Sequence, residues 1–210
     1  MSNIAFLVPH APLVPVIEKI ILPYERVRVE YCDNYDAILG FAAGLVEQGC
    51  EIIIARAGTA SRIRHSGLDV AVVELPVTGF DIIRALEAAR EYGPNIAVVA
   101  YAAMVRGIEC LSPLLNFFFR QYVTERDDAE VEPLILQAIH DGADVVVGGG
   151  IFCQVAQQHG LPAVFIGNGE EAIQLAVAEA FRLEAAIESE KIKRSLSDAI
   201  LDHVHDGIIT

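Results

Sequence analysis

The sequence predicts an α/β protein with two similar lobes, each holding a parallel four-stranded sheet, and one long C-terminal helix after them. Three observations predict it. Short β-branched runs such as Ile52-Ile53-Ile54 and Val145-Val146-Val147 are apolar on every side, as strands covered on both faces of a parallel sheet must be. These runs alternate with amphipathic helical stretches along most of the chain. The chain also repeats itself at an offset of 93 residues, which carries Gly49 to Gly142 and Gly67 to Gly160. In both copies a glycine ends a helix, an acid follows, and a β-branched strand runs into small residues.

In chain order, Ile4-Ala5-Phe6-Leu7-Val8 is the first strand, ended by Pro9-His10-Ala11-Pro12 and followed by a helix over about 13–21. The alternating run Arg26 to Tyr31 is a more exposed strand. Asn34 is positioned to cap a helix whose apolar face holds Ile38, Phe41, Leu45 and Val46, and Gly49 ends it. After the Ile52–Ile54 strand comes a polar turn, Arg56 to Ser61, in which Thr59 or Ser61 is expected to cap a short helix. Val70 to Leu75 is a fourth strand, and a helix then runs through Arg90. Gly93-Pro94 reads as the break between lobes.

The alternation restarts with the strand Ile96–Tyr101. A strand over Phe117–Val123 and a helix over Asp127–His140 follow; acids crowd the start of that helix, where its dipole favours them. Next are the strand Val145–Val147, the Gly148-Gly149-Gly150 turn, a helix over Phe152–His159 and the strand Ala163–Ile166. From Glu170 to about Ser195 the pattern is one long helix, Ala-rich and then charged. A new apolar pattern begins after it, and Ile208-Ile209 reads as the start of a strand, so the chain is expected to be a piece of a longer protein.

The chain has 210 residues, of which 53% are hydrophobic, enough for one large domain or two lobes with substantial cores. A net charge of −14, with scattered Lys and Arg, argues against nucleic-acid binding by this piece, because phosphate contacts need clustered basic residues. No apolar stretch approaches a membrane span of about 20 residues, and Met1-Ser2-Asn3 has no signal-peptide lead. Cys32, Cys50, Cys110 and Cys153 are far apart without CxxC spacing, which suggests free cytosolic thiols and gives zinc no support.

The run Gly49 to Arg90 (GCEIIIARAGTASRIRHSGLDVAVVELPVTGFDIIRALEAAR), the strand IAVVAY and the segment ADVVVGGGIFCQVAQQHGLPAVFIGNGEEAI resemble the N-terminal sensor region of the propionate-catabolism operon regulators. Those are sigma-54-dependent transcriptional activators of the NtrC type. The resemblance covers most of residues 3–187, and the ending AILDHVHDGIIT is similar to the opening of a PAS domain. It implies a cytoplasmic, ligand-sensing module of two flavodoxin-like lobes that is not an enzyme and needs no cofactor. The ATPase and DNA-binding domains of such activators, with their DNA and sigma-54 RNA polymerase partners, would lie outside this chain. The implied co-inducer is 2-methylcitrate, a small carboxylate, and a homo-oligomer is expected. Relatives typically read RGGTA where this chain has Arg56-Ala57-Gly58-Thr59-Ala60. The expected division is a first lobe over 1–93 with part of 170–187, a second over 94–169, and a linker helix with the start of a PAS-like domain over 188–210.

The candidate ligand site lies where the repeated units end their strands, because open α/β sheets bind ligands at the carboxyl ends of parallel strands. Arg56 leaves a buried strand with a fixed charge suited to a carboxylate. Its bland alternative is a surface salt bridge. Gly58, Thr59 and Ala60 follow it; Thr78 and Gly79 follow the next strand, where Thr78 or Asp81 can equally be a helix cap. Tyr101 ends the fifth strand, and Gly148, Gly149 and Gly150 offer backbone N–H groups before a helix. Arg62, Arg64 and His65 complete a basic cluster, with ordinary solvated helix residues as the alternative. Three glycines do not make the GxGxxG of a dinucleotide site.

Cys153 invites a racemase-like reading, but the 93-residue offset pairs it with Ala60, so the facing thiol is missing. No Ser-His-Asp grouping, HExxH or Walker loop stands out. Three classes remain open from the residues: a ligand-sensing module, a cofactor-independent lyase or racemase-like enzyme, and a dimerisation scaffold.

Overall fold

The computed structural model describes residues 3–206 except 35, 112, 114–116 and 126–127; for 128 and 198–206 it describes the backbone alone. Eight strands form two parallel sheets. β1 (Ile4–Val8), β2 (Val27–Tyr31), β3 (Ile52–Arg56) and β4 (Ala71–Leu75) make the first, in the order β2-β1-β3-β4. β5 (Ile96–Tyr101), β6 (Phe119–Thr124), β7 (Val145–Gly148) and β8 (Ala163–Phe165) make the second, in the matching order β6-β5-β7-β8. Among the described residues seven α-helices accompany them: α1 (Val14–Ile21), α2 (Ile38–Glu47), α3 (Ala57–Arg64), α4 (Gly79–Ala89), α5 (Val131–His140), α6 (Gly150–Gln158) and α7 (Glu170–Asp206).

The repeat read in the sequence is a repeat in space. Gly49 and Gly142 both adopt a left-handed backbone, at φ 87° and 79°, and so do Gly67 and Gly160, at 78° and 76°. Each ends a helix where an L side chain would be strained. Arg56 and Gly149, also 93 residues apart, are both helix N-caps in extended conformation.

Strand side chains alternate between two cores, as the pleat requires. In the first sheet, Ile4, Phe6, Val8, Ile52 and Ile54 pack toward α1 and α7, while Ala5, Leu7, Ile53 and Ala55 pack toward α2 and α3. In the second, Ile96, Val98, Ala100, Val145 and Val147 face α4, and Ala97, Val99 and Val146 face α5 and α6.

The lobes exchange helices. α4 leaves the first sheet and buries Ile82, Ala85, Leu86 and Ala89 against the second. α7 leaves the second sheet and buries Ala172, Ile173, Ala176, Val177 and Ala180 against the first. The chain therefore passes between sheets at 76–78 and again at 166–169, and the first crossing comes earlier than the Gly93-Pro94 break expected from sequence. An apolar stripe records that a helix is buried; it does not record against which sheet.

Other boundaries shift for local reasons. α3 begins at Ala57, so the stretch read as a polar turn is the first turn of a helix; of the Gly148-Gly149-Gly150 turn, Gly148 ends β7, Gly149 is the N-cap and Gly150 begins α6. Asn34 accepts hydrogen bonds from the Asp36 and Ala37 N–H groups (3.0 and 3.2 Å) one turn before α2, whose N-cap is Ala37. The sixth strand starts at Phe119 rather than Phe117. The expected helix start Asp127 lies outside the described residues, and α5 begins at Val131 after a 3-10 turn. α7 does not stop near Ser195 but runs to Asp206, since no Gly or Pro interrupts 170–206. Ile208 and Ile209 lie outside the described residues. Glu184, buried on α7, accepts from the Asn3 amide (2.5 Å) and from Arg26 (3.4 Å), fastening the helix to the first lobe.

Candidate functional site

β1 and β3 are neighbours in the first sheet, yet β1 connects outward to β2 and β3 connects the other way to β4. Where connections diverge, the carboxyl ends of the two strands leave a crevice. β5 and β7 make the same arrangement in the second sheet. The two crevices face each other across a cavity of about 330 Å³. Pro9 and His10 after β1, Arg56 at the end of β3, Ala57-Gly58-Thr59 of α3, and Asp33 after β2 line it from the first lobe. Tyr101, Met104, Gly149, Gly150, Ile151, Phe152 and Gln154 line it from the second.

Arg56 dominates the site. It is 9% exposed, and neither terminal guanidinium nitrogen has a hydrogen-bond partner. The guanidinium carbon sits 4.7 Å from the Phe165 ring centroid, a cation–π contact that compensates part of its desolvation. Burial lowers its pKa to about 10, with Asp81 pulling the other way, so it remains charged at neutral pH. A buried cation without a hydrogen-bonding partner is costly, because its donors give up water for nothing.

His10 rests on the same phenyl ring, 4.6 Å between centroids. Burial first, and the Arg56 charge second, depress its pKa to about 4, so the imidazole is neutral at physiological pH. The Cys153 thiol contacts the Gly148 carbonyl at 3.5 Å, and burial raises its pKa to about 11. It is a protonated thiol and not a poised nucleophile.

Two helices begin at the cavity. The N-caps Arg56 and Gly149 supply no side-chain capping bond to α3 or α6. Their first-turn residues Ala57-Gly58-Thr59 and Gly150-Ile151-Phe152 line the cavity, where unpaired N–H groups and the positive ends of the helix dipoles favour an anion. Among the described residues Asp33 is the sole acid on the lining, and no cluster of His, Cys, Asp and Glu is arranged to hold a metal ion.

Of the residues proposed from sequence, Arg56, Gly58, Thr59, Tyr101, Gly149 and Gly150 come together on this lining, and Ala60, Thr78, Gly79 and Gly148 lie off it. Ala60 is fully buried in the core under α3. Gly148 ends β7, where a β-carbon would run into the Val99 carbonyl and the Phe152 side chain. Thr78 caps α4 in a reciprocal box with Asp81, and Gly79 is the exposed first residue of that helix. Arg64 pairs with Glu74 (3.0 Å) and the His65 ring with the Ser61 carbonyl (2.7 Å), both outside the cavity. His10, Phe165, Asp33, Met104, Ile151, Phe152 and Gln154 were not proposed from sequence. His10 carried the same signal as Arg56, a polar side chain at the carboxyl end of a buried strand.

A sequence model of one family, described as propionate catabolism activator, matches residues 24–190. The crystal structure of an NtrC family transcriptional regulator from Clostridium acetobutylicum shares the fold: TM-score 0.74 and 24% identity, over 86% of this chain and 95% of that one. More remote are a structure titled an ABC domain in complex with L-Trp from Streptococcus pneumonia (TM-score 0.46, 9% identity, 88% of this chain and 84% of that one) and an aspartate racemase homologue from Pyrococcus horikoshii (0.32, 12%, 86% and 99%). Among the described residues no helix is long and apolar enough to cross a membrane.

Proposed function

The chain belongs to the propionate catabolism activator family, and from that premise we propose that it senses a small carboxylate in the cleft between its lobes on behalf of a transcriptional activator. The observation that carries the reading is the Arg56 guanidinium, buried and charged, with both terminal nitrogens unpartnered in a cavity where two uncapped helices begin. A carboxylate supplies the missing acceptors and suits the helix termini. 2-Methylcitrate, which the sequence resemblance implies, is the first candidate co-inducer. Ligand binding changes the relation of the lobes, and α7, which starts at the second crossing, carries that change toward the part of the protein after Thr210. In this reading the activator works in the cytoplasm as a homo-oligomer, the segment from 188 onward links to a PAS-like domain, and later domains engage DNA, ATP and sigma-54 RNA polymerase.

The racemase-like alternative has no comparable support: Cys153 holds its proton, and the first lobe places no cysteine on the cavity lining among the described residues. Calorimetry with a panel of di- and tricarboxylates tests the proposal. A hydrogen bond to a charged group is worth on the order of 1.5–3 kcal/mol, so Arg56→Ala should weaken binding roughly ten- to a hundredfold. Equal affinity in the two proteins would remove Arg56 from the site, and no binding by any carboxylate would refute the sensor ligand class.

A further inference from the structure

The cavity has a charge deficit. Its one fixed cation among the described residues, Arg56, is offset by the Asp33 carboxylate on the same lining. A ligand with two or three carboxylates therefore meets little net positive charge apart from the helix termini. A second potential cation stands beside the first. His10 and Arg56 rest on one phenyl ring, that of Phe165, at 4.6 and 4.7 Å, and both line the cavity.

We propose that His10 is a ligand-binding residue that takes up a proton when a polycarboxylate enters the cleft, supplying the site's second cation. The inference rests on the carboxylate-sensing reading above and deepens it. Without a ligand, the Phe165 ring favours a charge on the imidazole, but burial and the Arg56 cation outweigh it. Arg56 on β3 repels it, Gly150 places the positive end of α6 against the ring, and the Cys153 thiol on α6 is neutral. Asp81 on α4 acts on Arg56, and Asp33 and Tyr101 share the lining. A carboxylate placed between His10 and Arg56 reverses the local field, because an opposite charge within a few ångströms favours the charged form. Binding and protonation are then linked, and affinity tightens as pH falls, by up to about tenfold per unit. The pocket would thus weigh acidity together with ligand concentration.

Tricarballylate is a suitable probe. Its binding enthalpy is measured near pH 6 in two buffers of different ionisation enthalpy, for wild type and His10→Gln, so that protons carried by the ligand cancel. The proton uptake of wild type should exceed that of His10→Gln by more than about half a proton, and His10→Gln should bind more weakly with a flatter pH profile. Binding by both proteins with equal proton counts would overturn the role of His10 while leaving the carboxylate site standing. Absence of binding to wild type would remove the site and this inference together. Should His10→Gln fail to fold, the assigned His10 Cε1–H resonance of wild type reports the same event. It should move to the imidazolium position on adding tricarballylate, and a resonance that stays at the neutral position would overturn the proposal.

Discussion

The Asn168 side-chain amide donates to the Pro76 carbonyl at 2.7 Å, joining residues 92 positions apart in the chain. Each belongs to one of the two segments that pass between the sheets, so the hydrogen bond ties the crossings to each other. Asp81 adds a second tie. Its carboxylate accepts from the Thr78 N–H (2.8 Å), the Thr78 hydroxyl (2.9 Å), the Gly169 N–H (2.7 Å) and Arg84 (2.6 Å). The start of α7 at Glu170 is thereby fixed to the first turn of α4, and rotation of one lobe against the other bears directly on it.

Asp81→Asn is expected to be one of the costlier single changes in the protein. Asn has nearly the same shape, but its NH2 would face donors that now share a carboxylate, leaving buried groups unpaired. The expected loss is about 2–4 kcal/mol. Thr78→Ala removes one capping acceptor and should cost about 1 kcal/mol. Urea denaturation measures both, and equal losses would mean that Asp81 acts only as the partner of the Thr78 cap.

Arg56→Met is expected to stabilise the ligand-free domain while weakening carboxylate binding as much as Arg56→Ala does. Methionine keeps the contact with Phe165 and removes a buried charge whose terminal nitrogens have no partner. Replacing buried ionic groups by apolar ones of similar size can add about 1–4 kcal/mol, and the low end applies to one group. Thermal melting without ligand should show a rise, and a fall would mean that Arg56 is held by interactions within the protein itself.

The strands were legible because runs such as Ile52–Ile54 leave no polar face, which only a strand covered on both sides tolerates. The duplication was legible because turn glycines with left-handed backbone, Gly49 and Gly142, are hard to replace. The exchange of α4 and α7 was hidden, since Ile82, Ala85, Leu86 and Ala89 would make the same stripe against either sheet. At the site, Arg56 stood out as a charge ending an apolar strand. Thr59 and Ser61 suggested a helix cap, whereas the helix starts two residues before Thr59 with no side-chain cap. An open helix terminus is defined by a missing cap, and a sequence rarely advertises what is missing. Phe165 was invisible as a site residue because it looks like any other strand aromatic.

Acid should destabilise the ligand-free domain through His10. Its pKa is about 4 in the folded protein against 6.5 for the free side chain. Between those values the unfolded chain binds a proton that the folded one refuses, so the contribution is complete above about pH 6.5 and is lost as pH falls toward 4. Unfolding free energies measured across this window should fall on acidification, and the fall should shrink in His10→Gln. Saturating tricarballylate should also flatten it if the bound state welcomes the proton. An identical pH profile in His10→Gln would place the acid sensitivity on other groups.

Two neighbouring glycines should separate folding from binding. Neither Gly148 nor Gly150 has a left-handed backbone, so an alanine at either meets only a steric problem. At Gly148 the obstacles lie within the second lobe: the Val99 carbonyl on the adjacent strand and the Phe152 side chain. Neither can withdraw without disturbing the sheet, and Gly148→Ala should cost about 1–3 kcal/mol of stability, as overpacked cores do. At Gly150 the obstacle is the His10 ring, which belongs to the other lobe. The lobes can part, or the imidazole can turn, without breaking either core. Gly150→Ala should therefore change stability by less than about 1 kcal/mol. It should nevertheless weaken carboxylate binding by about tenfold or more, because the ligand has to span groups held further apart. Urea denaturation, calorimetry and small-angle scattering on the two proteins separate the effects, with a larger radius of gyration expected for Gly150→Ala alone. Equal destabilisation by both changes, with affinity untouched by the second, would mean that the approach of His10 to Gly150 plays no part in shaping the cleft.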